Sequence, residues 1–286
     1  MAILPQTTPV PNPVLIFMPP TSRADSAPPP PSATPAPTPL PAPGNHTSSS
    51  TSQVAKDDRS ESPFPLPKLR LEIRDLNHPG APRFLSSVNA SSVLSGAVAD
   101  VLRLLYVSPS EPHTHAPPTR SVTVVLRDMG GVAYTTGSEL DGDHKEIHFS
   151  LAYIAGIAGA DQRVADEIAG VLTHELVHCY QWDAKGTCPG GLIEGVADWV
   201  RLQCGLSPPH WRKETGGKWD GGYQHTAYFL EYLEGRFGEG TVRRVNERLR
   251  TGGKYEEKAF WTGLLGRPVE QLWGDYVNSV KGANGQ

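Results

Sequence analysis

The sequence predicts an α+β domain in which a small mixed sheet packs on a buried helix and a mostly helical half follows. Three stretches in the first half have the alternating, β-branched pattern of strands: residues 69–74, 122–127 and 146–151. Residues 93–105, between the first two, have a helical apolar period. After residue 174 the chain has almost wholly helical patterning. Strands followed by helices are typical of the α+β class.

The longest predicted helix covers about residues 161–182. Its apolar residues recur at helical spacing: Val164, Ile168, Val171, Leu172 and Leu176. Asp161 precedes this pattern and is a suitable N-cap residue. A Gly/Pro-rich loop at 186–191 leads to a second helical stretch at 192–202. Three further helices are expected at 227–237, 241–249 and 269–280.

Composition divides the chain at about residue 66. Residues 1–66 hold most of the 28 prolines, with serine and threonine between them. Such a segment buries too little apolar surface to fold, so we expect a disordered, partly polyproline II tail. A spacer is favoured over a ligand for proline-binding domains. Residues 67–286 are enough for one domain with a sizeable core.

The net charge and the targeting signals of the sequence limit which classes of partner are expected. The net charge of −4 and the isoelectric point near 6.2 argue against nucleic acid or an anionic membrane as a partner. No stretch is long enough to cross a membrane, and the chain as written has no secretory signal. Localisation therefore stays open, and we expect a monomer. Cys188 and Cys204 could form a disulfide that leaves Cys179 as a free thiol, but three reduced cysteines are equally consistent with the sequence.

The most informative motif is His-Glu-Leu-Val-His at residues 174–178. Two histidines four apart on a helix share a face, so His174 and His178 can bind one metal ion. Glu175 lies between them and can reach a water on the open side of that ion, which is the arrangement of zinc hydrolases. Short motifs also arise by chance, so context matters. Three polar groups on a mostly apolar helix need a partner, which favours the zinc interpretation over an ordinary histidine pair.

A third ligand is available on the second helix. Glu194 and Asp198 are four apart and share a face, among apolar neighbours. A catalytic zinc commonly takes two histidines and a glutamate, so Glu194 is the expected ligand. Asp198 is then expected to accept a hydrogen bond from a ligand histidine. The spacing alone leaves the reversed assignment open, and a solvated acidic stripe is the alternative to both.

Tyr223 is the candidate donor to the oxyanion that forms when water attacks a carbonyl. It follows two glycines and leads into a helix, whereas His225, the second candidate, points elsewhere. Simple packing of an aromatic side chain explains Tyr223 about equally well. Three other histidines are interpreted as bystanders: His148 on an edge-like strand, and His113 and His115 in a Pro-rich loop.

Five long stretches, in order, resemble the basic secretory protein family of plants and microbes, which is grouped with the zinc peptidases. They lie at residues 127–137, 170–186, 190–202, 218–233 and 269–276. The resemblance runs from about Lys68 to Lys281. It implies a zincin-like fold with His174, His178 and a second-helix carboxylate around Zn²⁺. The word "basic" does not fit a chain with a charge of −4.

Three functional hypotheses follow. In the first, the protein is a zinc metallopeptidase acting on a peptide or protein substrate. Glu175 takes a proton from the attacking water and passes it to the leaving amine, and Tyr223 donates to the oxyanion. In the second, the fold binds zinc without turnover and serves as a binding or defence protein, although the intact Glu175 argues against this. In the third, the Pro-rich tail is the working part of an interaction scaffold.

Overall fold

The structure is a computed structural model that describes residues 64–111 and 115–284. The described residues form a four-stranded sheet: β1 (Lys68–Ile73), β2 (Ser121–Arg127), β3 (Ala133–Ser138) and β4 (Asp141–Ser150). Nine helices are described: α1 (Gly80–Ser87), α2 (Ala90–Leu105), α3 (Leu151–Gly156), α4 (Asp161–Tyr180), α5 (Gly190–Gln203), α6 (Tyr223–Phe237), α7 (Thr241–Thr251), α8 (Glu257–Leu265) and α9 (Val269–Asn284). The predicted α+β class, with strands in the first half and helices after them, is confirmed.

The sheet is mixed, with the strand order β1-β2-β4-β3. Strands β1, β2 and β4 are parallel, and β3 pairs antiparallel with β4. The inner strands place alternate residues in the core: Val122, Val124, Leu126, Ile147 and Phe149. Because β3 pairs only with β4 among the described strands, its other edge is free.

Helix α4 lies at the centre of the domain and contacts α2, α5, β3 and β4. Most of its residues from Val164 to Tyr180 are buried, including both polar and apolar side chains. A helix that is covered on nearly every side belongs in a core. The polar residues of α4 are therefore held at fixed positions by the elements around them.

Glycines bring α6 and the loop before it close to α5. A Cβ atom at Gly195 would lie 2.3 Å from Cγ2 of Thr226, and one at Gly191 would lie 1.8 Å from the backbone oxygen of Asp220. Side chains at either position would force the two segments apart. The loop that ends at Gly222 is thereby packed beside Glu194.

Four elements were not predicted: α1, α3, α8 and β3. Helices α1 and α3 have only eight and six residues, too few for a clear apolar period. Strand β3 contains the strand-favouring Tyr134, Thr135 and Thr136, but it lacks alternating apolar residues and is interrupted by Gly137. The other elements agree with the predicted ones to within a few residues at their ends.

Two local predictions are wrong. Helix α4 begins at Asp161, so the N-cap is Ala160, which makes no side-chain hydrogen bond. Asp161 instead lies in the first turn, where its charge favours the helix dipole. Strand β4 lies between β2 and β3, so His148 does not stand on an edge strand.

The predicted tail lies outside the described residues except for its last three, among which Phe64 packs edge-on against Tyr106. Among the described helices, none alone is long and apolar enough to cross a membrane, although α1 and α2 meet those criteria together with a 69° bend between them. Cys179, Cys188 and Cys204 are free thiols.

Candidate metal centre

Helices α4 and α5 bring three side chains of the metal-binding type together. The ligand atoms of His174, His178 and Glu194 all lie within 4.8 Å of one another. Nε2 of His174 is 3.1 Å from both Nε2 of His178 and Oε2 of Glu194. Nε2 of His178 is 3.8 Å from the same carboxylate oxygen. The i, i+4 spacing on α4 and the return of α5 across it produce this convergence.

Asp198 lies on the other side of the His174 ring. Its Oδ1 is 2.6 Å from Nδ1 of His174, and its side chain is buried. This bond fixes the imidazole so that Nε2 points to the shared centre. The geometry thus places Glu194 in the three-residue cluster and Asp198 behind it.

The environment shifts the pKa values of the two histidines of the cluster in opposite directions. Burial lowers the pKa of His174, but the hydrogen bonds with Asp198 and Glu194 outweigh it and raise the value to about 9. Burial and the charge of His174 lower the pKa of His178 to about 4. Burial would raise the pKa of Glu194, yet its hydrogen bond with His174 and the charges of the imidazoles lower it. The cluster therefore favours a bound cation.

Glu175 is buried beside the cluster and is held by a residue on β3. The hydroxyl of Thr135 lies 2.7 Å from Oε2 of Glu175 and 2.9 Å from its backbone oxygen. Burial raises the pKa of Glu175, against the lowering effects of His174 and Thr135. A carboxylate with a raised pKa is a better proton acceptor than a free one. Thr135 was missed as a site residue because no strand was predicted at its position.

Tyr223 is the first residue of α6 and stands over the cluster. Its ring is nearly parallel to that of His174, with the ring centroids 6.3 Å apart. Gly222 and Tyr223 both have positive φ angles, 82° and 47°, which turn the chain into the helix at this point. The negative charge of Glu194 and then burial raise the pKa of Tyr223, so its hydroxyl stays protonated.

His225 and His148 do not belong to the three-residue cluster. Nε2 of His225 lies 2.7 Å from the backbone oxygen of Lys218, and its ring contacts Trp273. His148 bonds Glu146 and stacks on Tyr134, outside the three-residue cluster. Of the two histidines in the Pro-rich loop, the backbone oxygen of His115 accepts a hydrogen bond from Nε1 of Trp182, and His113 lies outside the described residues.

A cleft of about 860 Å³ opens onto the cluster. Its walls come from β3, α4, α5 and the start of α6. Its lining includes two exposed apolar residues of the β3 region, Val132 and Tyr134. Its far end contains Glu167, Arg201 and Trp211, which the sequence analysis did not single out. The cleft has room for an extended chain beside the cluster.

A protein-family model described as "BSP: Peptidase of plants and bacteria" matches residues 66–276. The chain belongs to this family. The resemblance noted in the sequence is thereby confirmed, and peptidase activity on peptide substrates is the activity that the family description gives. No curated protein and no solved structure matches the chain significantly.

Proposed function

We propose that this member of the BSP peptidase family hydrolyses peptide bonds with Zn²⁺ bound by His174, His178 and Glu194. One observation carries the proposal: three ligand atoms converge at the wall of a cleft, with a buried carboxylate, that of Glu175, next to them. Two histidines and a glutamate are a common ligand set of a catalytic zinc, which keeps one position open.

The spacing of the ligand atoms fits such an ion. Ligands at zinc distances around a tetrahedral centre lie roughly 3.4 Å from one another. The three separations between His174, His178 and Glu194 are 3.1, 3.1 and 3.8 Å. Asp198 supplies the orienting hydrogen bond that ligand histidines usually have.

Glu175 is the proposed proton carrier. A zinc ion in this position would supply Lewis acidity, making a water more acidic and polarising the carbonyl of the substrate. Glu175 accepts a proton from the attacking water and returns it to the nitrogen of the leaving amine. Thr135 keeps the carboxylate in place by donating to Oε2. Because Glu175 is not one of the three ligands, its loss should affect turnover more than metal content.

Tyr223 is the proposed donor to the substrate. Its raised pKa keeps the hydroxyl protonated at neutral pH, as a hydrogen-bond donor must be. A donor aimed at the carbonyl oxygen stabilises the charge that develops there as water attacks. The exposed position of the side chain lets it reach a substrate in the cleft.

An extended peptide fits the free edge of β3. Residues of β3 line the cleft, and its outer backbone groups are available to pair with another strand. Val132 and Tyr134 offer apolar surface for substrate side chains beside that edge. Main-chain pairing would hold a peptide alongside Glu175 without strict dependence on its sequence.

Bound metal and peptide cleavage, measured on the same preparation, test the proposal. We expect about one zinc per chain, cleavage within an unbiased peptide library, loss of cleavage on treatment with a chelator and recovery with added zinc. Elemental analysis that finds no transition metal in the native protein would overturn the zinc assignment. Bound zinc without cleavage of any peptide would favour a zinc-binding protein that has no catalytic activity. The absence of both zinc and cleavage would favour an interaction scaffold.

A further inference from the structure

A second charged cluster lies at the far end of the cleft. Glu167 precedes His174 by seven residues on α4, and Arg201 follows Glu194 by seven on α5. Seven residues are two helical turns, so both side chains lie about 10 Å along their helices from the ligand residues. Both line the cleft. The proposed metal ligands and this second cluster thus belong to one continuous groove.

Two residues other than Arg201 donate hydrogen bonds to the carboxylate of Glu167. The hydroxyl of Tyr153 donates to Oε1 at 2.8 Å, and Nη2 of Arg163 donates to Oε2 at 2.6 Å. Burial would raise the pKa of Glu167, but Arg201 and these donors outweigh it and keep the carboxylate charged. Two arginines therefore surround one carboxylate, and one positive charge is in excess.

Arg201 keeps donor capacity while it is buried. Its side chain is 8 % exposed, and its Nη2 lies 3.1 Å from Oε2 of Glu167. That contact is an ion pair, and Nη2 has no further hydrogen-bond partner among the described residues. A guanidinium has five N–H donors, so the contacts with Glu167 and Leu206 leave part of its donor capacity unused.

The guanidinium of Arg201 is held in a fixed position. Its Nε donates to the backbone oxygen of Leu206 at 3.0 Å, and the guanidinium carbon lies 5.4 Å from the centre of the Trp211 ring. Gly170 leaves space for it against α4, since a Cβ there would lie 2.6 Å from Nε. A planar cation fixed in this way is suited to binding a carboxylate.

We propose that Arg201 forms a subsite for a substrate carboxylate, an inference that rests on the proposed peptidase function. An extended peptide covers about 10 Å in three residues. The carboxylate would therefore belong to an Asp or Glu side chain within about three residues of the cleaved bond, or to the C-terminus of a short substrate. Both sources present the same group to Arg201.

Equilibrium binding to the zinc-loaded full-length Glu175→Gln variant tests the subsite without requiring turnover. Titration calorimetry compares peptides that differ only by Glu or Gln at each of the three positions on either side of the bond, and a further pair that ends in a free acid or an amide. We expect the carboxylate member of one pair to bind about tenfold more tightly, because a hydrogen bond to a charged group is lost in its partner. The pair that discriminates identifies the source.

Three further substitutions, each made in the Glu175→Gln background, test whether Arg201 causes the preference for a carboxylate. Arg201→Gln should reduce the ratio of dissociation constants to about one. Gly170→Ala, which favours the helix but displaces the guanidinium, should reduce it as well. Arg163→Gln is the matched control, because it removes the other cation bound to Glu167 from outside the cleft lining and should leave the ratio intact.

The subsite and the peptidase function can fail separately. Equal dissociation constants within every pair, or a tenfold ratio that survives Arg201→Gln, would overturn the subsite even if the wild-type protein cleaves peptides. Should Arg201→Gln fail to fold, the peptide pairs and Gly170→Ala still decide the matter. Zinc content and library cleavage of the wild type test the peptidase function independently.

Discussion

Asp198 and Glu194 contact opposite nitrogens of one imidazole, with Oδ1 of Asp198 2.6 Å from Nδ1 of His174 and Oε2 of Glu194 3.1 Å from Nε2. One turn of α5 separates the two carboxylates, yet only Glu194 lies with the Nε2 atoms of both histidines. The arrangement assigns different tasks to two residues that the sequence alone could not tell apart.

Substitution of these two carboxylates should therefore have unequal effects on the metal. We expect Asp198→Asn to weaken zinc affinity by about 10- to 100-fold, as loss of an orienting hydrogen bond does. Glu194→Gln should weaken it more, because a charged ligand is lost. Competition with a chelator measures both. The opposite ranking would make Asp198 the ligand.

Thr135 should act through Glu175. Thr135→Val removes the hydroxyl but keeps the β-branched shape, so we expect kcat to fall about tenfold with little change in KM, as expected when a hydrogen bond to a charged group is lost. Thr135→Ser keeps the hydroxyl and should restore most of the rate. Steady-state kinetics on one cleaved peptide provides both constants. Equal losses in the Val and Ser variants would show that packing, not the hydroxyl, matters.

The sequence predicted more of the three-residue cluster than of its surroundings. Helical spacing within one element predicted that His174 and His178 share a face, and the spacing on the next helix offered Glu194 or Asp198 as their partner. Thr135 and Arg201 depend on which elements pack together over long sequence separations. Neither has a local pattern that indicates a site, since a threonine on a weak strand and an arginine near a helix end are ordinary surface features.

Prediction of the fold was limited in the same way, because only elements with a persistent local pattern were predicted. The long amphipathic and apolar segments, such as those that became α4 and β2, were predicted because periodicity persists over many residues. Strand β3 owes its position to pairing with β4, which no local signal in residues 133–138 specifies. Local sequence patterns therefore could not predict the part of the cleft wall that holds Glu175.

Tyr223 and His225 provide a matched pair of substitutions. Tyr223→Phe removes the hydroxyl of a residue that lines the cleft, and we expect kcat to fall about 10²- to 10³-fold with zinc content unchanged. His225→Gln alters a residue that contacts Lys218 and Trp273 instead, and should change kcat much less. A larger loss from His225→Gln would transfer the oxyanion role to His225.

Glu167 should make stability depend on pH in the acidic range. Its folded-state pKa is lowered, so its contribution is complete above the unfolded value of about 4.3 and is lost as the pH falls through the folded value. We expect Glu167→Gln to reduce the free energy of unfolding by about 3 kcal/mol at pH 7, because two arginines lose their partner.

That difference between wild type and Glu167→Gln should shrink as the pH falls below the unfolded value of about 4.3, because the unfolded chain binds the proton first and the folded carboxylate follows at a lower pH. Urea denaturation of both proteins at several pH values measures it, and other titrating groups cancel in the comparison. A difference that stays constant down to pH 3 would mean that the charge of Glu167 contributes nothing to the fold.

Glu175→Gln tests the central claim most directly. The amide keeps the shape of the side chain but cannot carry the proton, and Glu175 is not one of the three grouped ligand residues. Zinc content and peptide cleavage are measured on the same preparations of wild type and variant. We expect about one zinc per chain in both, with the rate of cleavage about 10²- to 10⁴-fold lower in the variant. Cleavage at the wild-type rate by zinc-loaded Glu175→Gln would contradict the mechanism and leave the metal a structural ion.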